Sequence, residues 1–156
     1  MKEMELSNDV YASLPGAALE GAAIVGCGID ESPVRIVHAI NDFVAQPTKK
    51  SIFRRVDNWN DRAMPLGALW GTQLVRQFGW QWIMLDDDGD RSIGVFDAIR
   101  SQGLFPFEVV FQCIEHSEIP TMELAFNMIS GGTLPKFEPQ SFTNIMDGIR
   151  HIIPPS

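Results

Sequence analysis

Two cysteines, three histidines and one tyrosine are all that this 156-residue sequence offers of three residue types on which many local chemical signatures depend. Cys27 and Cys113 cannot build a disulfide framework, and neither lies in a paired C-x-x-C motif. A reducing cytoplasmic setting is therefore expected. His38, His116 and His151 share no H-x-x-x-H or H-E-x-x-H spacing, so a zinc site would have to be assembled from distant segments. Neither a metal centre nor a cofactor is expected. The sequence has no G-x-S-x-G, no G-K-[ST] loop and no S-x-x-K, which removes the common local signatures of hydrolase, phosphoryl-transfer and β-lactamase chemistry.

Basic residues are also few. Twelve Lys and Arg against twenty Asp and Glu leave a net charge of −8, which opposes an approach to phosphates and speeds encounters with basic partners. Lys49, Lys50, Arg54 and Arg55 form a basic cluster, but Asp57 and Asp61 follow and offset it, so no nucleic-acid role is expected. No apolar run reaches the length of a membrane span. Ile24-Val25-Gly26-Cys27 imitates the end of a lipoprotein leader, yet Glu3, Glu5, Asp9 and Glu20 lie where such a leader is basic and then apolar.

What the chain does have is apolar mass. It is 45% hydrophobic, with four Trp and ten Phe, which fits one globular domain over residues 1–156 whose aromatic rings belong in a core or an apolar interface. Residues 1–30 are the least readable, with a short helix expected near residues 17–25. Ser32-Pro33 starts a helix, since Ser caps free amides and Pro is tolerated at the first position. Val34, Ile36, Val37, Ile40, Phe43 and Val44 give that helix its apolar stripe before Pro47. Residues 48–64 read as a long connection with one short element near residues 52–56. Pro65 is expected to open a helix to Phe78 in which Gly67 and Gly71 let a neighbour approach closely, and Gly79 closes it.

The runs 80–85 and 92–98 alternate at the strand period and form a hairpin. A helix follows Phe105-Pro106-Phe107 and ends near His116. Another starts at Pro120-Thr121, with Met122, Ala125, Phe126 and Ile129 at i, i+3, i+4, i+7, and stops at Gly131-Gly132; a last short helix follows Ser141. The expected fold is α+β, a small antiparallel sheet (the hairpin around residues 80–98) covered by four to five helices.

Four stretches resemble a family of small bacterial domains of unknown function. They are Asp30-Glu31-Ser32-Pro33 before an amphipathic helix, Leu66-Gly67-Ala68-Leu69-Trp70-Gly71, Gly79-Trp80-Gln81-Trp82 and Phe105-Pro106-Phe107. In that family a G-x-x-x-G helix runs into a Trp-bearing strand and a later F-P opens another helix, often with a glutamate where this chain has Thr72. The resemblance spans about residues 30–129 and implies a fold and no catalytic residue.

The stretch Asp86-Asp87-Asp88-Gly89-Asp90 is the densest group of potential ligands. Setting Gly89 at the glycine position of an EF-hand loop puts Asp86 and Asp88 at ligand positions, but Met84 and Val95 then fall on the first and last ligands, where hydrocarbon cannot coordinate. The stretch reads as an Asp-Gly hairpin turn. Gly26-Cys27-Gly28 has the first two glycines of a dinucleotide fingerprint with Glu31 in place of the third, which favours a plain turn. Cys113 adjoins Phe111 and Ile114 and reads as a buried thiol, not as a nucleophile paired with His116.

These features lead to a non-enzymatic cytoplasmic binding protein, of the toxin-neutralising immunity type, whose acidic surface meets a protein partner with a basic surface. Asp86, Asp87, Asp88, Asp90 and Trp59 are the expected interface. The alternatives are a metal-dependent or carboxylate-based hydrolase built from dispersed residues such as Asp86, Asp88, Glu115 and His116, or a homo-oligomeric structural module in which exposed aromatics bind a second copy, as in a homodimer.

Overall fold

The computed structural model describes residues 2–46, 60–115 and 119–152. Along the chain these form β1 (Lys2–Met4), α1 (Asn8–Val25), α2 (Pro33–Ala45), α3 (Asn60–Phe78), β2 (Gln81–Asp87) and β3 (Asp90–Phe96). They continue with β4 (Gln102–Leu104), α4 (Pro106–Glu115), α5 (Met122–Gly131), β5 (Thr143–Asn144) and α6 (Ile145–Ile152). The fold is α+β.

Helix α2 begins as its sequence dictates, with the Ser32 hydroxyl accepting from the Arg35 amide at 3.3 Å and Pro33 at the first helical position. Helix α5 ends at Gly132, whose φ of 66° is the left-handed cap that glycine adopts without strain. Two helices begin earlier than expected and run through a proline. Helix α1 starts at the Ser7 cap and passes through Pro15, and α3 starts at Asn60 and passes through Pro65. Each proline lacks the amide that would bond the carbonyl four residues earlier, a cost that packing offsets. Leu14, Ala18, Gly21 and Ala22 of α1 are buried, and Gly21 lies against the carbonyl of Pro65, where no Cβ would fit. The close crossing of α1 and α3 thus uses the residue that was expected to open α3.

The glycines of α3 act as their spacing predicts. A Cβ on Gly67 would lie 2.9 Å from the Phe107 Cα at the start of α4, and one on Gly71 would enter the Trp82 indole of β2. Trp82 in turn stacks on Phe107 with ring centroids 5.7 Å apart. Glycine spacing on α3 therefore sets how closely both α4 and the sheet approach it.

The sheet is larger than a hairpin. Its order is β1-β2-β3-β4-β5, antiparallel except for the parallel pair of β4 with β5. Residues of β2 alternate between faces: Trp82 joins the main core, while Ile83 and Leu85 form a second cluster with Phe96, Phe105 and Phe142. The main core draws on all six described helices, through Leu14, Ile36, Leu66, Val110, Met122 and Ile149 among others. Phe96 lies across Gly103, its partner on β4, so an aromatic ring covers a strand position that has no side chain.

Candidate functional site

Strands β2 and β3 are paired along their whole length, from Gln81↔Phe96 to Asp87↔Asp90, and two residues close the hairpin. Asp88 and Gly89 have φ of 53° and 90°. Two successive positive φ values make the type I′ turn, whose twist matches that of the strands and which Asp-Gly adopts readily. Asp86 is tied down. One of its carboxylate oxygens accepts from the Gly89 amide at 2.7 Å, and the other lies 3.6 Å from Arg91 Nε across the ladder. Asp87, Asp88 and Asp90 are exposed. Asp87 and Asp90 are direct cross-strand partners, a like-charge pairing that costs stability and is tolerated where water screens it. The tip thus carries three solvent-facing carboxylates on a backbone held by the ladder and by Asp86.

At the other end of β3 a second aspartate turn has the opposite character. The Asp97 carboxylate accepts from the Ser101 amide at 2.7 Å, from the Gln102 amide at 3.4 Å and from the Ser101 hydroxyl. Arg100 holds Glu3 of β1 through two bonds, at 2.7 and 3.1 Å, and donates to the Asp97 carbonyl at 2.9 Å. The bond to Glu3 pushes the Arg100 guanidinium above its already high ordinary value, against the opposing effect of burial. Main-chain bonds from Gln140 to Ile99, from Phe142 to Arg100 and from Thr143 to Ser101 bring the segment before β5 onto this turn. Arg100, Gln140 and Phe142 all have φ near +50 to +60° (55, 62 and 48°), an uncommon conformation for such residues that the dense bonding holds in place.

Sequence reasoning missed this joint, because it places Asp97 in the strand. An Asx turn, in which an aspartate bonds amides a few residues on, is its one local signal. The groove between α1 and α3 was missed as well, since the N-terminal half of α1 has no readable helical stripe. Trp59 and His116 lie outside the described residues. Asp86 and Asp88 are at the hairpin tip, and Glu115 is the last residue of α4. Among the described residues there is no group of three or more His, Cys, Asp or Glu placed to hold a metal ion. Cys113 is 2% exposed, as expected of a core thiol. Gly26 caps α1 at a φ of 74°, and the Gly28 amide donates to the Glu31 carboxylate. That amide therefore already serves an internal anion, and the glycines of this stretch act as a turn. Burial and the neighbouring Glu31 push the Cys27 thiol up, away from the reactive thiolate.

No helix among the described residues is long and apolar enough to cross a membrane. No curated protein and no solved structure matches the chain. A family model does match, over residues 43–126, from the last turn of α2 through α3, the hairpin, β4 and α4 into α5. The match takes in the G-x-x-x-G helix, the Trp-bearing strand and the Phe-Pro helix start, and leaves out β1, α1, β5 and α6. As it covers more than half of the chain, the protein belongs to the family described as "Domain of unknown function (DUF3806)".

Proposed function

We propose that this protein is a non-catalytic, cytoplasmic binding domain that presents the β2–β3 tip to a basic surface of a protein partner, in the manner of a toxin-neutralising immunity protein. The observation that carries this reading is the tip itself. Asp86 is used internally to rigidify the turn, which leaves Asp87, Asp88 and Asp90 projecting from a fixed type I′ backbone. A preorganised charge loses little conformational entropy on binding. The net charge of −8 adds long-range attraction for a cationic partner. The rest of the expected interface, Trp59, lies outside the described residues, so of the expected interface residues only those of the hairpin support the proposal.

The test is co-purification with the product of the adjacent gene, followed by association kinetics over a salt titration. Replacing Asp86, Asp87, Asp88 and Asp90 together by Asn should slow association at low salt by about tenfold and flatten its salt dependence. An unchanged rate and slope in the folded variant would refute the role of the tip.

A further inference from the structure

Between α1 and α3 lies a groove of about 390 Å³, the size range of small-molecule sites. Its walls include Tyr11, Leu14, Leu19, Val75 and Trp82, and its one hydroxyl from α3, on Thr72, already donates to the Ala68 carbonyl at 2.7 Å. Apart from the Tyr11 phenol, no ionisable side chain among the described residues lines it. Tyr11 and Leu19 are 62% and 54% exposed, apolar surface that a ligand would cover.

The groove is not symmetric end to end. Tyr11 and Trp82 also line a second pocket of about 350 Å³ that contains Glu3, Glu5, Asn8 and Arg100. Arg100 is committed to Glu3, which leaves the exposed Glu5 as the carboxylate without an ion-pair partner, among the described residues, in that mouth. Toward Ile29, at another part of the groove wall, Arg76 donates to the carbonyls of Ile29 and Glu31 and to Gln73. An anionic head would thus find both guanidiniums already engaged, whereas a cationic head would find an unpaired carboxylate beside two aromatic residues, whose ring faces attract positive charge.

We propose that the two pockets, which share Tyr11 and Trp82 as lining residues, together form a binding site for a small amphipathic cation, an amine bearing an apolar chain. The chain lies in the α1–α3 groove and the ammonium sits beside Glu5, between Tyr11 and Trp82. This site is separate from the hairpin tip and does not depend on its reading.

Isothermal titration of the full chain with decylammonium chloride and with sodium decanoate, both below micelle formation, tests it. Decylammonium should bind at a single site, with decanoate about tenfold weaker or more, since the tails are alike and the head charge is reversed. Glu5→Gln should weaken decylammonium by about two- to fivefold and leave decanoate unweakened. Thr72→Phe fills the groove and should abolish binding of both while the protein stays folded. Should that variant not fold, Leu19→Ala, at an exposed position, should weaken decylammonium by about fivefold or more through lost apolar contact. Absence of decylammonium binding overturns the proposal, as does equal binding of decanoate. Full affinity in a folded Thr72→Phe protein, or in Leu19→Ala where the former does not fold, would place the ligand elsewhere and overturn it too.

Discussion

Strand β3 has an aspartate turn at each end, and the two turns use the same residue type in opposite ways. At Asp97–Ser101 the carboxylate is surrounded by donors: two amides and a hydroxyl converge on it, and Ser101 is 4% exposed. At Asp86–Asp90 only Asp86 is so engaged, and the other three carboxylates face water. The first turn ties β1, β4 and the segment before β5 together; the second projects charge. The chain density of Asp is therefore a poor guide to what an Asp does. The count of donors within reach is a better one, because a satisfied carboxylate orders the backbone and an unsatisfied exposed one is available to a partner.

Removing a carboxylate should then cost far more at one turn than at the other. Asp97→Ala leaves the buried Ser101 hydroxyl and the Ser101 and Gln102 amides without their acceptor, and should lower unfolding stability by about 2–3 kcal/mol in urea titration. A loss within about 0.5 kcal/mol, typical of surface sites, would show the joint to be incidental.

Between the buried turn and the exposed acids stands the backbone of the tip. A Cβ on Gly89, which has a φ of 90°, would meet no atom within 4 Å beyond its chain neighbours, so space is not what selects glycine there. Conformation is. Gly89→Ala should cost about 1–2 kcal/mol, while Asp88→Asn, which keeps a side chain tolerant of positive φ, should change stability by less than about 0.5 kcal/mol. Equal costs would mean that Asp88 has a structural partner after all.

The next effect belongs to the pair that anchors the N-terminal strand. Arg100→Met keeps an apolar stem, strands Glu3 and should cost about 1 kcal/mol, with faster amide exchange in β1. Because Glu3 raises the folded-state value of Arg100, the guanidinium's contribution is fully present below its ordinary value and is lost only as pH rises through the higher folded one. The difference between wild type and variant should therefore stay constant as pH rises from neutral into the mildly alkaline range. A decline there, followed by circular dichroism melts, would contradict the assignment.

What was legible in the sequence follows the same division between local and distant causes. The start of α2 at Ser32-Pro33, the end of α5 at Gly132 and the tip at Asp88-Gly89 each rest on one or two residues whose own φ preference or side chain decides the matter. The passage of α1 through Pro15 and of α3 through Pro65 was not legible, because the local cost is offset by burial between two helices far apart in sequence. Strands β1, β4 and β5, of three, three and two residues, were invisible for a like reason. Runs so short carry no period, and they exist only because Lys2–Met4 finds Met84–Asp86 and Thr143-Asn144 finds Gln102-Gly103. For the candidate sites, the acidic tip could be read from adjacent residues, whereas the α1–α3 groove needed the crossing that Gly21 permits.

The smallest effect is the one that bears most directly on the tip. Asp90 faces Asp87 across the last rung of the ladder, so Asp90→Asn removes a repulsion and leaves the backbone bonding and the Asp86–Gly89 contact intact. Stability should rise by about 0.2–0.5 kcal/mol at low salt, the scale of exposed cross-strand pairs, and the gain should shrink as salt screens the wild-type repulsion. A thermal melt in low and high salt reads both. A loss of stability instead would mean that Asp90 has a favourable contact within the chain, and the tip would then resemble the Asp97 turn more than its opposite.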